Sequence, residues 1–216
     1  PTDFFDVEDQ NLLLGLRAGL TRTSLDTIFL PSSGSRTELS VEQVVGDFNF
    51  NTIRAEHAVY IPIRRDFLGR DTVIKLDLQT AYQPQGEDEV PTYERMFLGG
   101  ASMRGFEFRT ISPRGVRNDN GLPSDDPVGG TWMLFTGAEI RQPLYEDLLH
   151  IVGFVDAGTV TNDIGFEDYR VSVGLGLRFS IPQLSPAPIA LDVGFPIVDE
   201  ETDEGRLFTF SVDLPF

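Results

Sequence analysis

The sequence predicts an all-β protein, an antiparallel meander of about nine strands. Apolar residues recur with a period of two along almost the whole chain, and no stretch offers a competing helical period. Clusters of Gly, Pro, Asp and Ser separate the alternating runs, as turns between sequential hairpins do. The strands fall near residues 11–25, 36–46, 50–63, 71–83, 131–144, 148–160, 169–181, 188–198 and 206–216.

Each run carries one apolar and one polar or small face. In the first four, Arg17, Glu38, Glu42, Arg54, Glu56, Lys75 and Asp77 belong to the polar face, and Gln43 and His57 are the main blemishes on the other. Glu139, Arg141 and Asp156 mark the polar face of the next two. In 169–181, Val171, Val173, Leu175, Leu177 and Phe179 alternate with Arg170, Ser172, Gly174, Gly176 and Arg178. Ile189, Leu191, Val193, Phe195 and Ile197 then alternate with Ala190, Asp192 and Gly194. In the last run Phe208, Phe210, Val212, Leu214 and Phe216 share one face, opposite Thr209, Ser211 and Asp213.

Residues 84–130 form the one long irregular stretch, and structureless loops of such length are uncommon and usually functional. Its centre reads Phe97-Leu98-Gly99-Gly100-Ala101-Ser102-Met103-Arg104-Gly105-Phe106. Gly99, Gly100 and Gly105 allow a tight tip that presents Arg104 as a point charge, with Phe106 beside it as an apolar anchor.

Composition narrows the class. A formal charge of -17 over 216 residues argues against a nucleic-acid partner, which needs a basic face. The absence of Cys excludes a disulfide framework and thiolate metal sites. No apolar run approaches the ~20 residues of a membrane-crossing helix, although barrel strands need only ~9–11 residues of alternating polarity. His57 and His150 are the only histidines and suggest neither a triad nor a metal centre, so no catalytic residue, metal site or cofactor is expected. Gly174-Leu175-Gly176 lies inside a strand with no helix after it and cannot be a nucleotide loop. The acidic run Asp199 to Glu204 reads as a solvated turn more readily than as a cation site.

Alternation fits two architectures. In a soluble sandwich the apolar faces pack on each other; in a membrane barrel they meet lipid, and the charges line a lumen. Two features favour the barrel. The polar faces mix both signs of charge, as a confined lumen requires. The connectors also divide: 46–50, 84–130, 161–168 and 199–205 are acidic, whereas the turns at Pro31–Gly34, Arg64–Arg70, 145–147 and 182–188 are neutral or basic.

Separated segments, in order, resemble the BamA-like outer-membrane assembly factors of the bacterial surface antigen superfamily. Gly99-Gly100 followed by Met103-Arg104-Gly105-Phe106 is similar to the family's glycine pair and loop tip, with Met103 where Val is commoner. Thr136 to Leu144, Phe154 to Val160 and Val173 to Arg178 resemble the strands that follow this loop, and Leu207 to Phe216 resembles the aromatic-terminated insertion signal. Pro31-Ser32-Ser33-Gly34 is a weaker match to a family turn.

The resemblance implies that residues 1–216 form the C-terminal portion of a transmembrane β-barrel of roughly sixteen strands, with 84–130 directed into the lumen. About seven strands and periplasmic POTRA domains would then lie upstream. It implies that Arg104 meets Glu139 and Asp156 on the inner wall. The implied role is insertion or folding of β-barrel proteins, through the barrel seam, into the outer membrane of a Gram-negative-type bacterium. Partners would be outer-membrane lipid, unfolded barrel clients and periplasmic accessory proteins. A two-partner-type secretion transporter and a passive or structural barrel are the alternatives.

Overall fold

The computed structural model describes residues 12–117, 121–146, 148–181 and 185–212. The chain runs through β1 (Leu13–Thr23), β2 (Gly34–Gly46), β3 (Phe50–Arg65) and β4 (Asp71–Tyr82) into the long loop. The loop carries β5 (Gly105–Phe106), β6 (Arg114–Val116) and β7 (Pro123–Pro127). Then follow β8 (Trp132–Tyr145), β9 (Leu149–Thr161), β10 (Arg170–Ile181), β11 (Ser185–Val198), β12 (Gly205–Arg206) and β13 (Phe208–Val212).

Nine of these strands form one antiparallel sheet in the order β1-β2-β3-β4-β8-β9-β10-β11-β13. Each strand pairs with its predecessor in the wall, so the sheet is a meander and the loop between β4 and β8 is an excursion from it. Eight of the nine predicted runs appear as single strands within a few residues of their expected bounds. The run 206–216 does not: it breaks at Leu207, because Gly205–Arg206 leaves the wall to pair with Gly105–Phe106 of the loop. Leu214 and Phe216 lie outside the described residues.

Burial decides between the two architectures. The aliphatic face is exposed, with Leu16 at 77% and Leu175 at 63%, while Arg141, Asp156, Arg170, Ser172, Arg178 and Asp192 are buried on the other face. A sandwich inverts this order. No second sheet of the described residues covers the aliphatic side. The polar face is concave: one cavity of about 360 Å³ is bounded by residues from Arg36 on β2 to Thr209 on β13. On the same side, Arg141 of β8 donates to the carbonyls of Leu30 and Pro31 in the β1–β2 turn, reaching past β3 and β4.

The core sits under the loop. Met96, Leu98, Met103, Phe106 and Ile111 pack with Ala81, Phe135 and Val160 of the wall. The expectation of an irregular 84–130 needs correction, since bridges pair Met96 with Gly130 and Leu98 with Ile111, and β6 pairs with β7. These pairings satisfy backbone groups that a buried loop would otherwise leave orphaned.

Candidate functional site

Register builds a cradle for the loop tip. Glu139 lies opposite Phe154, Phe154 opposite Gly174, and Gly174 opposite Gly194, so these four form one row across β8, β9, β10 and β11. Asp156 pairs with Ser172 in the next row. Side chains alternate across a sheet, so all six lie on the polar face. Glycine is required at two points of this floor. A Cβ on Gly174 would sit 2.3 Å from Phe154 Cζ and 2.2 Å from the Val193 carbonyl oxygen. A Cβ on Gly194 would sit 2.8 Å from the backbone nitrogen of Gly105.

The tip lies on this floor. Gly105 has φ +92, in the region glycine adopts without strain, and its missing Cβ leaves room against Ser172. Gly99 and Gly100 also have positive φ, which turns the chain so that the Gly100 N–H donates to Phe106 O at 2.8 Å. Met103 and Phe106 are fully buried on either side of Arg104, and this packing fixes the direction of the arginine stem.

Arg104 makes a fork. Its Nε donates to Asp156 Oδ2 and its Nη2 to Asp156 Oδ1, both at 2.8 Å, while Nη1 donates to Glu139 Oε2 at 2.9 Å. The guanidinium carbon stands 3.5 Å from the centre of the Phe154 ring. The Ser172 hydroxyl donates to the Arg104 carbonyl. Arg178 donates to Glu139 Oε2 at 3.0 Å and to Asp192 Oδ1 at 2.6 Å, and Arg104 Nη1 lies 3.8 Å from Asp192 Oδ2. Two guanidiniums are thus interleaved with three carboxylates, leaving a net charge of -1. Burial opposes the charge on Arg104, but the hydrogen bond and charge of Asp156, then Glu139 and Asp192, outweigh it and raise its proton affinity. Arg104 is therefore a permanent cation in a bidentate, face-stacked setting that favours arginine over lysine.

Glu139 and Asp156 both touch Arg104, whereas Arg178, Asp192, Phe154 and Ser172 were not assigned to it from sequence. Alternation places Arg178 and Asp192 on the polar face but does not say which cation they meet. Phe154 carried a usable signal: it shares parity with Asp156, so it is an aromatic ring on a charged face.

Phe208, Phe210 and Val212 are exposed on the aliphatic side. His150 is buried at the start of β9. The acidic turn needs a correction at Asp203. Asp203, with its side chain 1% exposed, receives Arg170 Nε at 2.8 Å, and Glu200 receives Arg170 Nη2 at 2.8 Å. Asp203 is thus enclosed by guanidinium groups, whereas Glu200, with its side chain 44% exposed, meets both Arg170 and solvent. No group of side chains suited to a metal ion occurs among the described residues.

Residues 4–216 match the Omp85 superfamily domain. The chain is 25% identical over 217 residues to the outer membrane protein assembly factor BamA of Neorickettsia risticii (strain Illinois), which spans 95% of this chain and 28% of that protein. The crystal structure of BamA from Haemophilus ducreyi lacking POTRA domains 1-3 is similar with a TM-score of 0.78 and 26% identity, over 91% of this chain and 41% of that one. The chain spans less than a third of the length of the curated relative.

Proposed function

The chain belongs to the Omp85 superfamily, and from that premise we propose that it is the C-terminal portion of a barrel that folds or inserts other β-barrel proteins. It is an antiparallel wall of the Gram-negative outer membrane, with its aliphatic face toward lipid. The observation that carries the reading is the loop docked across β8 to β11 by the Arg104 fork. A passive pore gains nothing from an arginine-tipped segment that fills its own lumen. An assembly factor does, because the segment holds the wall in one shape while the barrel edge remains available.

That edge is β13, whose described residues Phe208 to Val212 pair with β11 on one side. A strand with an unpaired side can template an incoming strand through main-chain hydrogen bonds. The partners are accordingly unfolded barrel clients and lipid, with accessory proteins engaged through periplasmic domains upstream.

The test uses the full-length protein in liposomes with a urea-unfolded client barrel. Folding is followed by the gel shift of unboiled samples. Wild type accelerates client folding, and Arg104→Ala loses most of that acceleration. A large, steady conductance with no effect on client folding favours a passive pore. Export of a soluble substrate without client insertion favours a secretion transporter.

A further inference from the structure

The loop is fastened at a second place, and that place leads directly into the terminal strand. Arg114 follows the loop tip in sequence and reaches the last hairpin. Its Nε donates to Thr202 Oγ1 at 3.1 Å, and its Nη2 lies 3.5 Å from Asp203 Oδ1. The same guanidinium donates to the carbonyl of Thr110 at 2.8 Å and to that of Asp125 at 3.0 Å, so it gathers both arms of the loop. Asp203 also receives Arg170 of β10 and the Glu200 N–H at 3.0 Å. One buried carboxylate therefore joins the wall, the loop and the hairpin before β13.

From this junction the chain does not return at once to the wall. The Glu107 N–H donates to the Glu204 carbonyl at 2.7 Å, and the Glu204 N–H donates to Thr110 Oγ1 at 2.8 Å. Gly205 and Arg206 pair with Phe106 and Gly105, and Arg206 meets Glu107 at 3.1 Å. Only after Leu207, whose carbonyl accepts the Gly194 N–H at 2.9 Å, does β13 begin. Residues adjacent to Arg104 in sequence are thus hydrogen-bonded to residues just before β13.

We propose that Asp203, with Arg114 and Arg170, is a positioning junction that couples the Arg104-tipped loop to the terminal strand β13. Loosening either the junction or the Arg104 fork then frees β13 from the wall. The two events are linked because a β-ribbon transmits displacement through its main-chain pairs, and Gly105 packed on Gly194 leaves it no slack. An edge strand released this way exposes the pairing groups that a client requires. The functional consequence rests on the insertase reading; the coupling does not.

Backbone amide exchange of the full-length protein in bilayers tests the coupling without any client. In Asp203→Asn, exchange across 208–212 should rise at least tenfold, while β8 and β9 stay protected. Thr202→Val, which removes only the hydroxyl contact, should raise it about threefold and serves if Asp203→Asn does not yield a folded barrel. Among the described residues the ion pairs of Arg104 run to β8, β9 and β11. Arg104→Lys should nevertheless raise exchange across 208–212, an effect that a purely local role would not produce. Unchanged exchange there in Arg104→Lys, or in both junction variants, overturns the proposal. Client folding by the same samples bears on the insertase reading instead, so the two failures are distinguishable.

Discussion

The polar faces of β1 to β4 and of β8 to β11 are built from the same residue types, yet their ions sit in different surroundings. Arg17 and Glu38 stand 3.9 Å apart with side chains 50% and 29% exposed; Arg178 and Asp192 stand 2.6 Å apart at 5% and 3%. The difference is the loop, whose tip covers the second region with Met103, Arg104 and Phe106, whereas in the first the loop packs near one end of the strands, at Val44, Phe50 and Ala81, away from Arg17 and Glu38. Exposed pairs contribute ~0–1 kcal/mol, because water already solvates both partners. Covered pairs follow another rule. Their desolvation is compensated only while every partner is present, so removing one member is costly although the whole network need not be strongly stabilising. A residue's worth in this wall is thus set by what lies over it.

The largest effect should follow removal of the shared cation. Arg104→Ala leaves three carboxylates with Arg178 as their remaining guanidinium partner, and it should destabilise the folded barrel by about 3–5 kcal/mol. Urea titration of the gel-shifted form measures this, and protease cleavage within 97–106 should appear in parallel. Arg104→Lys should recover only part of the loss, since an ammonium keeps the charge without the fork. Equal stability of all three proteins would refute the contrast between regions.

Next comes the floor. Gly174→Val adds a side chain where Phe154 and the Val193 carbonyl leave no space, and overpacking of this kind costs about 1–3 kcal/mol. The same substitution at Gly19, whose nearest neighbour to an added Cβ is 3.6 Å away, should be close to neutral by the same titration. Phe154→Leu keeps the bulk but removes the ring face under Arg104, and about 1–2 kcal/mol should be lost. The double variant with Arg104→Ala should lose no more than Arg104→Ala alone, which makes the pair's coupling measurable.

The smallest effect belongs to the pairs that the loop does not cover. Arg17→Ala should change stability by less than about 1 kcal/mol. Even that should fade at high salt, because exposed charges are screened there. A loss as large as that of Arg104→Ala would show that cover does not govern these pairs.

Much of the wall was legible because one physical rule writes it. A strand with lipid on one side and a polar lumen on the other must alternate, and Leu175 or Asp192 declares its side without reference to any other element. The exception on the lumen side, Phe154, went unassigned because its reason is a cation 50 residues away in sequence, on another element. The reason for the break at Leu207 was illegible for a similar cause. Arg206 falls on the parity of Phe208 and Phe210, and Leu207 on that of Thr209 and Ser211, which interrupts the alternation there, but only the loop's main chain shows that Gly205 and Arg206 are drawn out of the sheet. Asp203 reads as one more solvated carboxylate until Arg114 and Arg170 are seen to converge on it.

The amino-acid sequence by itself determined the strands, their antiparallel order, the sidedness of nearly every wall residue and the presence of an arginine-tipped excursion. These follow from local periodicity and turn chemistry, which each segment carries within its own length. The tertiary structure alone decided which carboxylates share Arg104, where the loop lies, and that the terminal strand is tied to it. Those are contacts between distant segments, and their energies come from desolvation and close packing that exist only once the sheet has curled and the loop has covered it.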